Sequence, residues 1–181
     1  TVMIATNNVD YLFAQAIAVS RAFPQYSAKS SKLPPVDREV NVVLHYQGSD
    51  VINDWQARVD EISAVAESIR LCACLVDTPP NELNCKTYIE QVQSICADLR
   101  CPLKVIQGTD LRDQGFGGIW GVGKASENLP ALAILSHVPS ECPPDAKSVC
   151  LVGKGIVYDT GGLSIKISGN MCGMKADMGG S

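Results

Sequence analysis

The sequence predicts an α/β protein in which a mostly parallel sheet is flanked by helices. From about residue 81 onward, runs of β-branched and aliphatic residues alternate with helical patterns, as they do in parallel α/β sheets. Of the 181 residues, 46% are hydrophobic and 19% are charged, so the chain can bury a core. We expect three segments: a small α/β region over residues 1–50, a long helix within residues 51–80, and the α/β region over residues 81–181.

The first fifty residues are expected to contain two strands and one helix. Residues 2–5 predict a short strand, and Asp10 is a suitable cap for a helix that ends before Pro24. Residues 27–35 are rich in Ser, Lys and Pro and predict a loop. Residues 40–46 are rich in β-branched and aromatic side chains and predict a second strand.

The clearest helical pattern begins after Asp54, where apolar residues recur at steps of three and four for more than 20 residues. The segment Asp77-Thr78-Pro79-Pro80-Asn81 ends it. A helix of this length before a proline-rich break is typical of a connection between two domains and equally of an ordinary core helix. Its apolar positions are Trp55, Val59, Ile62, Ala66, Ile69, Ala73 and Val76.

The third segment is expected to begin with a helix and to continue with strands. Thr87 and Glu90 match a capping box for a helix that runs to about residue 100. Strands are expected at residues 103–107 and 131–136. A further apolar stretch over residues 149–158 predicts a buried strand that a Gly-Lys-Gly run interrupts. The inward face of the helix is expected to consist of Ile89, Val92, Cys96 and Leu99.

Charge and hydropathy exclude several classes of function. The net charge of -4 gives no general attraction for nucleic acid or for an anionic membrane surface. The sequence lacks a long apolar run that could span a membrane, and its first residues do not resemble a signal peptide. We therefore expect a cytoplasmic protein with no nucleic-acid or membrane partner. The eight cysteines are expected to be free thiols, because a chain of this size and composition needs no disulfides.

Titratable residues and glycines are concentrated near the end of the chain. Lys154 interrupts the predicted buried strand, which is costly unless its charge is paired or its amine is neutral and bound. Asp159 follows at the carboxyl end of that stretch, where ligands bind in open α/β sheets. Lys166 and Asp177 come next, near glycines that allow close backbone approach. This set indicates either an ion-binding site or a salt-bridged loop.

The same residues resemble a known family. Residues 153–166 read Gly-Lys-Gly-Ile-x-x-Asp-x-Gly-Gly-x-Ser-Ile-Lys, and residues 174–180 read Met-Lys-Ala-Asp-Met-Gly-Gly. Together they resemble the metal-binding core of the leucine aminopeptidase (cytosol aminopeptidase) family. The Gly-Phe-Gly-Gly-Ile-Trp-Gly-Val-Gly-Lys-Ala run at residues 115–125 is similar to that of its probable aminopeptidase-like branch. Weaker similarity extends back to about residue 55.

The resemblance implies a metal-dependent aminopeptidase that releases N-terminal amino acids from peptides, using water activated by two divalent ions. Lys154 resembles the ligand that binds the tighter metal through a neutral amine, and Asp177 a further ligand of that metal. Asp159 resembles the carboxylate that bridges both metals. Lys166 resembles the lysine that stabilises the oxyanion, and Met174 matches a position that lines the substrate pocket. Zn²⁺ or Mn²⁺ is expected, with Mg²⁺ and a bicarbonate also compatible, in a homo-oligomer that would be a hexamer.

Part of the family pattern is missing from these 181 residues. The remaining metal ligands, and the arginine that holds the bicarbonate, come from an Asn-Thr-Asp-Ala-Glu-Gly-Arg segment that does not occur here. We therefore expect a piece of a longer protein, with residues 1–50 the tail of an N-terminal domain and residues 81–181 an incomplete catalytic domain. We expect this piece alone to be inactive. The alternative is a non-catalytic or truncated family member that acts as a binding or regulatory protein.

Two further features could indicate nucleotide binding or histidine-dependent catalysis, but neither is well supported. Residues 118–125 nearly match a phosphate-binding loop, but Ala125 stands where the loop needs a hydroxyl and no buried strand precedes it. We expect a glycine-rich turn there rather than a nucleotide site. His45 and His137, the two histidines, lie near no Ser or Cys motif, so a Ser-His or Cys-His mechanism has no support.

Overall fold

The computed structural model describes residues 1–28, 39–167, 169 and 171–181. The chain divides into two compact units, Thr1–Asp77 and Thr78–Ser181, and each contains both helices and strands. The predicted α/β class is therefore confirmed. Most of the loop predicted over residues 27–35 lies outside the described residues.

The first unit contains a two-stranded sheet and two helices. Strand β1 (Val2–Thr6) pairs in parallel with strand β2 (Val42–Tyr46), with Ile4 opposite Leu44. Helix α1 (Val9–Arg21) follows β1, and helix α2 (Trp55–Asp77) closes the unit. All four elements lie where the sequence predicts them.

The core of the first unit draws on three elements. Ile4 of β1, Ala16 of α1 and Ile62 of α2 form one buried cluster. The cap of α1 is Asn8 rather than the predicted Asp10, because the Asn8 side chain accepts the Asp10 backbone N–H at 2.8 Å. Asp10 instead lies in the first turn, where its negative charge is favourable at a helix N-terminus.

The second unit begins with a helix whose ends differ from the prediction. Helix α3 (Cys85–Asp98) is capped by Asn84, which forms a reciprocal capping box with Thr87 one turn earlier than predicted. Ile89 and Cys96 are buried on its inward face, as expected. Leu99 is the C-cap and is 72% exposed, because the helix has already ended there.

The remaining regular elements are short. Strand β3 (Leu103–Gln107) and strand β4 (Ala131–Leu135) pair antiparallel. Helices α4 (Thr109–Asp113) and α5 (Gly117–Gly123), of 5 and 7 residues, lie between them and turn the chain back on itself. The parallel pairing expected from residue 81 onward is therefore not formed in the part of this unit that the structure describes.

The buried strand predicted over residues 149–158 is wrong. Val149, Leu151 and Val152 are 85%, 92% and 90% exposed, and the stretch makes one isolated antiparallel bridge, between Lys154 and Gly180. A strand needs a neighbouring strand to satisfy its backbone groups. Among the described residues, no strand runs beside this stretch.

Three other expectations are settled by the described residues. The segment that resembles a phosphate-binding loop includes most of α5, so it is neither that loop nor the expected turn. All eight cysteines fall within the described ranges, and none of them is in a disulfide, as predicted. No helix in the described ranges is long and apolar enough to cross a membrane.

Candidate metal site

A backbone bridge near the end of the chain holds two site segments side by side. It joins Lys154 to Gly180, the residue after a 3-10 helix (Cys172–Gly179). Gly153 lies against Gly180 so closely that a Cβ on it would overlap the Gly180 carbonyl oxygen. Met178 is fully buried and anchors the 3-10 helix. Only a residue without a side chain allows this approach, which explains the glycine before Lys154.

The bridge brings the first predicted pair together. The Lys154 Nζ atom donates to Asp177 Oδ2 at 2.9 Å, although the two residues are 23 positions apart in the chain. The Lys154 side chain is 63% exposed and the Asp177 side chain 38% exposed. Because an exposed ion pair contributes little to stability, this contact adds little to the stability of the fold. The Asp177 carboxylate is accessible to a cation from solvent.

A second pair lies in the loop that follows Lys154. The Lys166 Nζ atom donates to Asp159 Oδ2 at 2.8 Å and lies 3.6 Å from the Met174 sulfur. The Lys166 backbone N–H donates to the Thr160 carbonyl oxygen at 2.9 Å, which closes the loop. The Lys166 amine therefore contacts both Asp159, a predicted metal ligand, and Met174, a predicted pocket residue.

Gly161 shapes this loop in a way that the motif alone did not specify. Its backbone N–H donates to Asp159 Oδ1 at 2.9 Å, so Asp159 forms a local turn with its own backbone. Gly161 has a φ of +84°, and a Cβ there would overlap the Ser164 carbonyl oxygen. The Asp-x-Gly spacing is the sequence signal that could have revealed this contact.

The two pairs are coupled through charge. Hydrogen bonds from Lys166 and then from the Gly161 N–H hold the pKa of Asp159 below its ordinary value, and the charges of Lys166 and Lys154 add to this effect. Asp159 is therefore ionised at neutral pH. The positive charge of Lys154 therefore interacts with both carboxylates, those of Asp177 and Asp159.

The donor set fits a divalent cation in part. Carboxylate oxygens suit Mg²⁺ and Mn²⁺ and are also common zinc ligands. Among the described residues, no group of three or more His, Cys, Asp or Glu could hold a metal ion. A cation at Asp159 and Asp177 would therefore need the Lys154 amine, or groups from outside this chain, to complete its ligands. The amine can serve only after it loses its proton.

Comparison with known proteins identifies the family. The family model described as the cytosol aminopeptidase family, catalytic domain, matches residues 70–181. The human protein named "Probable aminopeptidase NPEPL1" is 40% identical over 171 residues, which cover 94% of this chain and 32% of that protein. "Leucine aminopeptidase 1" of Caenorhabditis elegans is 38% identical over 186 residues, covering 97% of this chain and 35% of that protein. The chain belongs to the cytosol aminopeptidase family.

Solved structures agree with this assignment. The leucine aminopeptidase of Caenorhabditis elegans superposes with a TM-score of 0.83 at 36% identity, over 98% of this chain and 34% of that one. The leucyl aminopeptidase of Leishmania major in complex with actinonin gives 0.82 at 34% identity, over 98% and 34%. This chain thus spans about a third of the length of the relatives it matches. The predicted family and fold class are confirmed.

Proposed function

We propose that the protein containing this chain is a metal-dependent aminopeptidase that removes N-terminal amino acids from peptides. The observation that carries the proposal is the pair of lysine–aspartate contacts, Lys154–Asp177 and Lys166–Asp159, built around the Lys154–Gly180 bridge. Membership of the cytosol aminopeptidase family supports it, as do the names of the relatives. The substrate class would be peptides with a free N-terminus.

Three residues would hold the metal ions. Lys154 and Asp177 would bind one ion, and Asp159 would bridge it to a second ion whose other ligands lie outside these residues. Zn²⁺ or Mn²⁺ suits this mixed nitrogen and oxygen set, and Mg²⁺ would suit its carboxylates. When bound, the two ions would supply Lewis acidity and a water that is nucleophilic near neutral pH.

Lys166 would act on the substrate rather than on the metal. Its side chain is 35% exposed, so its amine can donate to a ligand as well as to Asp159. In the proposed role it donates to the oxygen of the scissile carbonyl as negative charge develops there. The neighbouring Met174 would form part of the apolar wall around the first side chain of the peptide, because its sulfur already lies beside the Lys166 amine.

Features of the whole protein are proposed from the family resemblance alone. They are a cytoplasmic location, a homo-oligomer that would be a hexamer, and a bicarbonate base held by an arginine outside these residues. Residues 1–50 would be the end of an N-terminal domain, residues 51–80 would contain the connecting helix, and residues 81–181 would begin the catalytic domain.

The exposed ion pairs also support a second candidate, a non-catalytic family member that binds or regulates another protein. In that protein, Lys154–Asp177 and Lys166–Asp159 would be permanent salt bridges that no metal replaces.

A metal-restoration assay distinguishes the two candidates. The protein that contains this chain is purified, stripped with a chelator, and assayed on a leucyl-amide substrate with added Zn²⁺ or Mn²⁺. We expect activity to return in the wild type and in the exposed control Asp145→Asn, and to stay low in Asp177→Asn. An unstripped wild-type protein with no turnover would contradict the enzyme proposal. Full activity in Asp177→Asn would instead contradict the role of Asp177 as a metal ligand.

A further inference from the structure

Helix α3 ends in a Schellman motif whose two contact positions are both cysteines. The Cys101 N–H donates to the Cys96 carbonyl oxygen at 2.8 Å, and the Arg100 N–H donates to the Ala97 carbonyl oxygen at 3.2 Å. Arg100 has a φ of 52°, the left-handed conformation that this motif requires. In such motifs the side chains of the first and sixth residues usually touch through apolar groups. Here those side chains are the thiols of Cys96 and Cys101.

The two thiols differ in their access to solvent. Cys96 is 4% exposed on the inward face of α3, whereas Cys101 is partly exposed in the link between α3 and β3. Burial raises the pKa of the Cys96 thiol, and its interactions with the neighbouring Cys101 thiol raise it further. Cys101 Sγ also donates to the Ser136 carbonyl oxygen at 3.1 Å. A small oxidant from solvent therefore reaches Cys101 before Cys96.

We propose that Cys96 and Cys101 form a redox-active pair that peroxide converts into a reversible disulfide. Hydrogen peroxide oxidises the Cys101 thiol to a sulfenic acid and is reduced to water. The Cys96 sulfur then attacks the Cys101 sulfur, the S–O bond breaks, and the hydroxyl group leaves with the Cys96 proton as a second water. The sum is two thiols and one peroxide giving one disulfide and two waters.

The backbone hydrogen bond between the two cysteines favours this bond. Disulfides join residues whose Cα atoms lie about 4.4–6.8 Å apart, and the six-to-one hydrogen bond draws these two backbones together. Oxidation removes the S–H that donates to Ser136, but the Ser136 N–H still donates to the Pro102 carbonyl oxygen at 3.2 Å. The β3–β4 pair therefore keeps its closing backbone contact. Excess low-molecular-weight thiol would reduce the bond again.

The sequence offers a direct test by peptide mass spectrometry. The purified, reduced protein is treated with hydrogen peroxide, its remaining thiols are alkylated, and it is digested with trypsin without reduction. Because trypsin cuts after Lys86, Arg100 and Lys104, the disulfide would join peptide 87–100 to peptide 101–104. We expect this linked pair to appear with peroxide and to vanish when dithiothreitol is added before alkylation.

Matched variants separate the pair from general thiol oxidation. Cys101→Ser keeps a donor for Ser136, and we expect it to yield no linked pair and a Cys96 that remains open to alkylation in denaturant. Cys85→Ser, which removes a half-buried thiol at the other end of α3, should give the linked pair at the wild-type level. Peroxide that takes Cys101 to a sulfinic or sulfonic acid without linking the peptides would overturn the proposal. A disulfide from Cys101 to another cysteine would do so as well.

Discussion

The Lys154 amine lies 2.9 Å from the Asp177 carboxylate, across a backbone bridge that leaves no room for a side chain at Gly153. In the proposed enzyme these two groups share one cation. The ammonium proton and the cation therefore compete for the same pair, and metal binding has to release that proton. In that enzyme, Lys154 is therefore needed for the ability of its amine to lose a proton, and not for its positive charge.

Replacing Lys154 with arginine should weaken metal binding although the positive charge is kept. A guanidinium cannot lose its proton in proteins and offers no lone pair to a metal. The measurement is metal content and affinity of the purified protein that contains this chain, with Lys147→Arg as an exposed control. Wild-type stoichiometry and affinity in Lys154→Arg would mean that Lys154 is only a structural cation.

Lys166→Ala should lower kcat much more than it lowers metal affinity. If the amine stabilises the oxyanion, the loss should match that of an oxyanion-hole donor, on the order of 10²–10³-fold. Steady-state kinetics on a leucyl-amide substrate and metal titration of the same sample give both quantities, with Lys147→Ala as the control. Normal turnover in Lys166→Ala would remove the lysine from the reaction.

Two adjacent glycines allow a matched test of the Asp159 loop. Gly161 and Gly162 both have positive φ, +84° and +59°, so an alanine at either is strained by roughly 1–2 kcal/mol. Only at Gly161 would the new Cβ overlap a neighbour, the Ser164 carbonyl oxygen, whereas nothing lies near it at Gly162. We expect Gly161→Ala to weaken metal binding and activity far more than Gly162→Ala. Equal effects would show that the loop geometry around Asp159 is not needed.

The sequence predicted best those elements whose pattern lies within a single segment of the chain. The long repeating pattern of α2 and the compact strand patterns of β1 to β4 predicted those elements within a few residues. The sequence did not specify the cap positions, because Asn, Asp and Thr are all good caps. The N-cap of α3 is Asn84 and not Thr87, so the capping box lies one turn earlier than the predicted pair of Thr87 and Glu90.

Non-local features could not be predicted in this way. Residues 149–158 have the composition of a strand, yet strand formation depends on a partner strand that local composition does not specify. The five proposed site residues were chosen from a motif with fixed spacing, which did not predict the contacts between them. Gly161 at Asp159 and the bridge from Lys154 to Gly180 arise only once the chain has folded.

The 181-residue chain by itself should show no peptidase activity and only weak metal binding. Lys154, Asp159 and Asp177 would give one ion three ligands, but a second ion would keep little beyond Asp159. The exposed apolar stretch at residues 149–152 should also make this chain aggregate more readily than the longer protein. The 181-residue chain and the longer protein are expressed separately. Their activity is compared by hydrolysis of a leucyl substrate with added Zn²⁺ or Mn²⁺, and their aggregation by light scattering. Metal-dependent turnover by the purified short chain would mean that the catalytic residues lie elsewhere.

Anomalous diffraction from crystals of the protein that contains this chain, grown with Zn²⁺ or Mn²⁺, would locate any bound metal ions directly. We predict two anomalous peaks roughly 3.5–4 Å apart, the spacing of two-metal sites. One peak should lie within ligand distance of the Lys154 amine and the Asp177 carboxylate, and Asp159 should contact both. Peaks bound only by other residues, or Asp159 and Asp177 carboxylates more than about 8 Å apart in the metal-loaded protein, would mean that Lys154, Asp159 and Asp177 do not form the metal site.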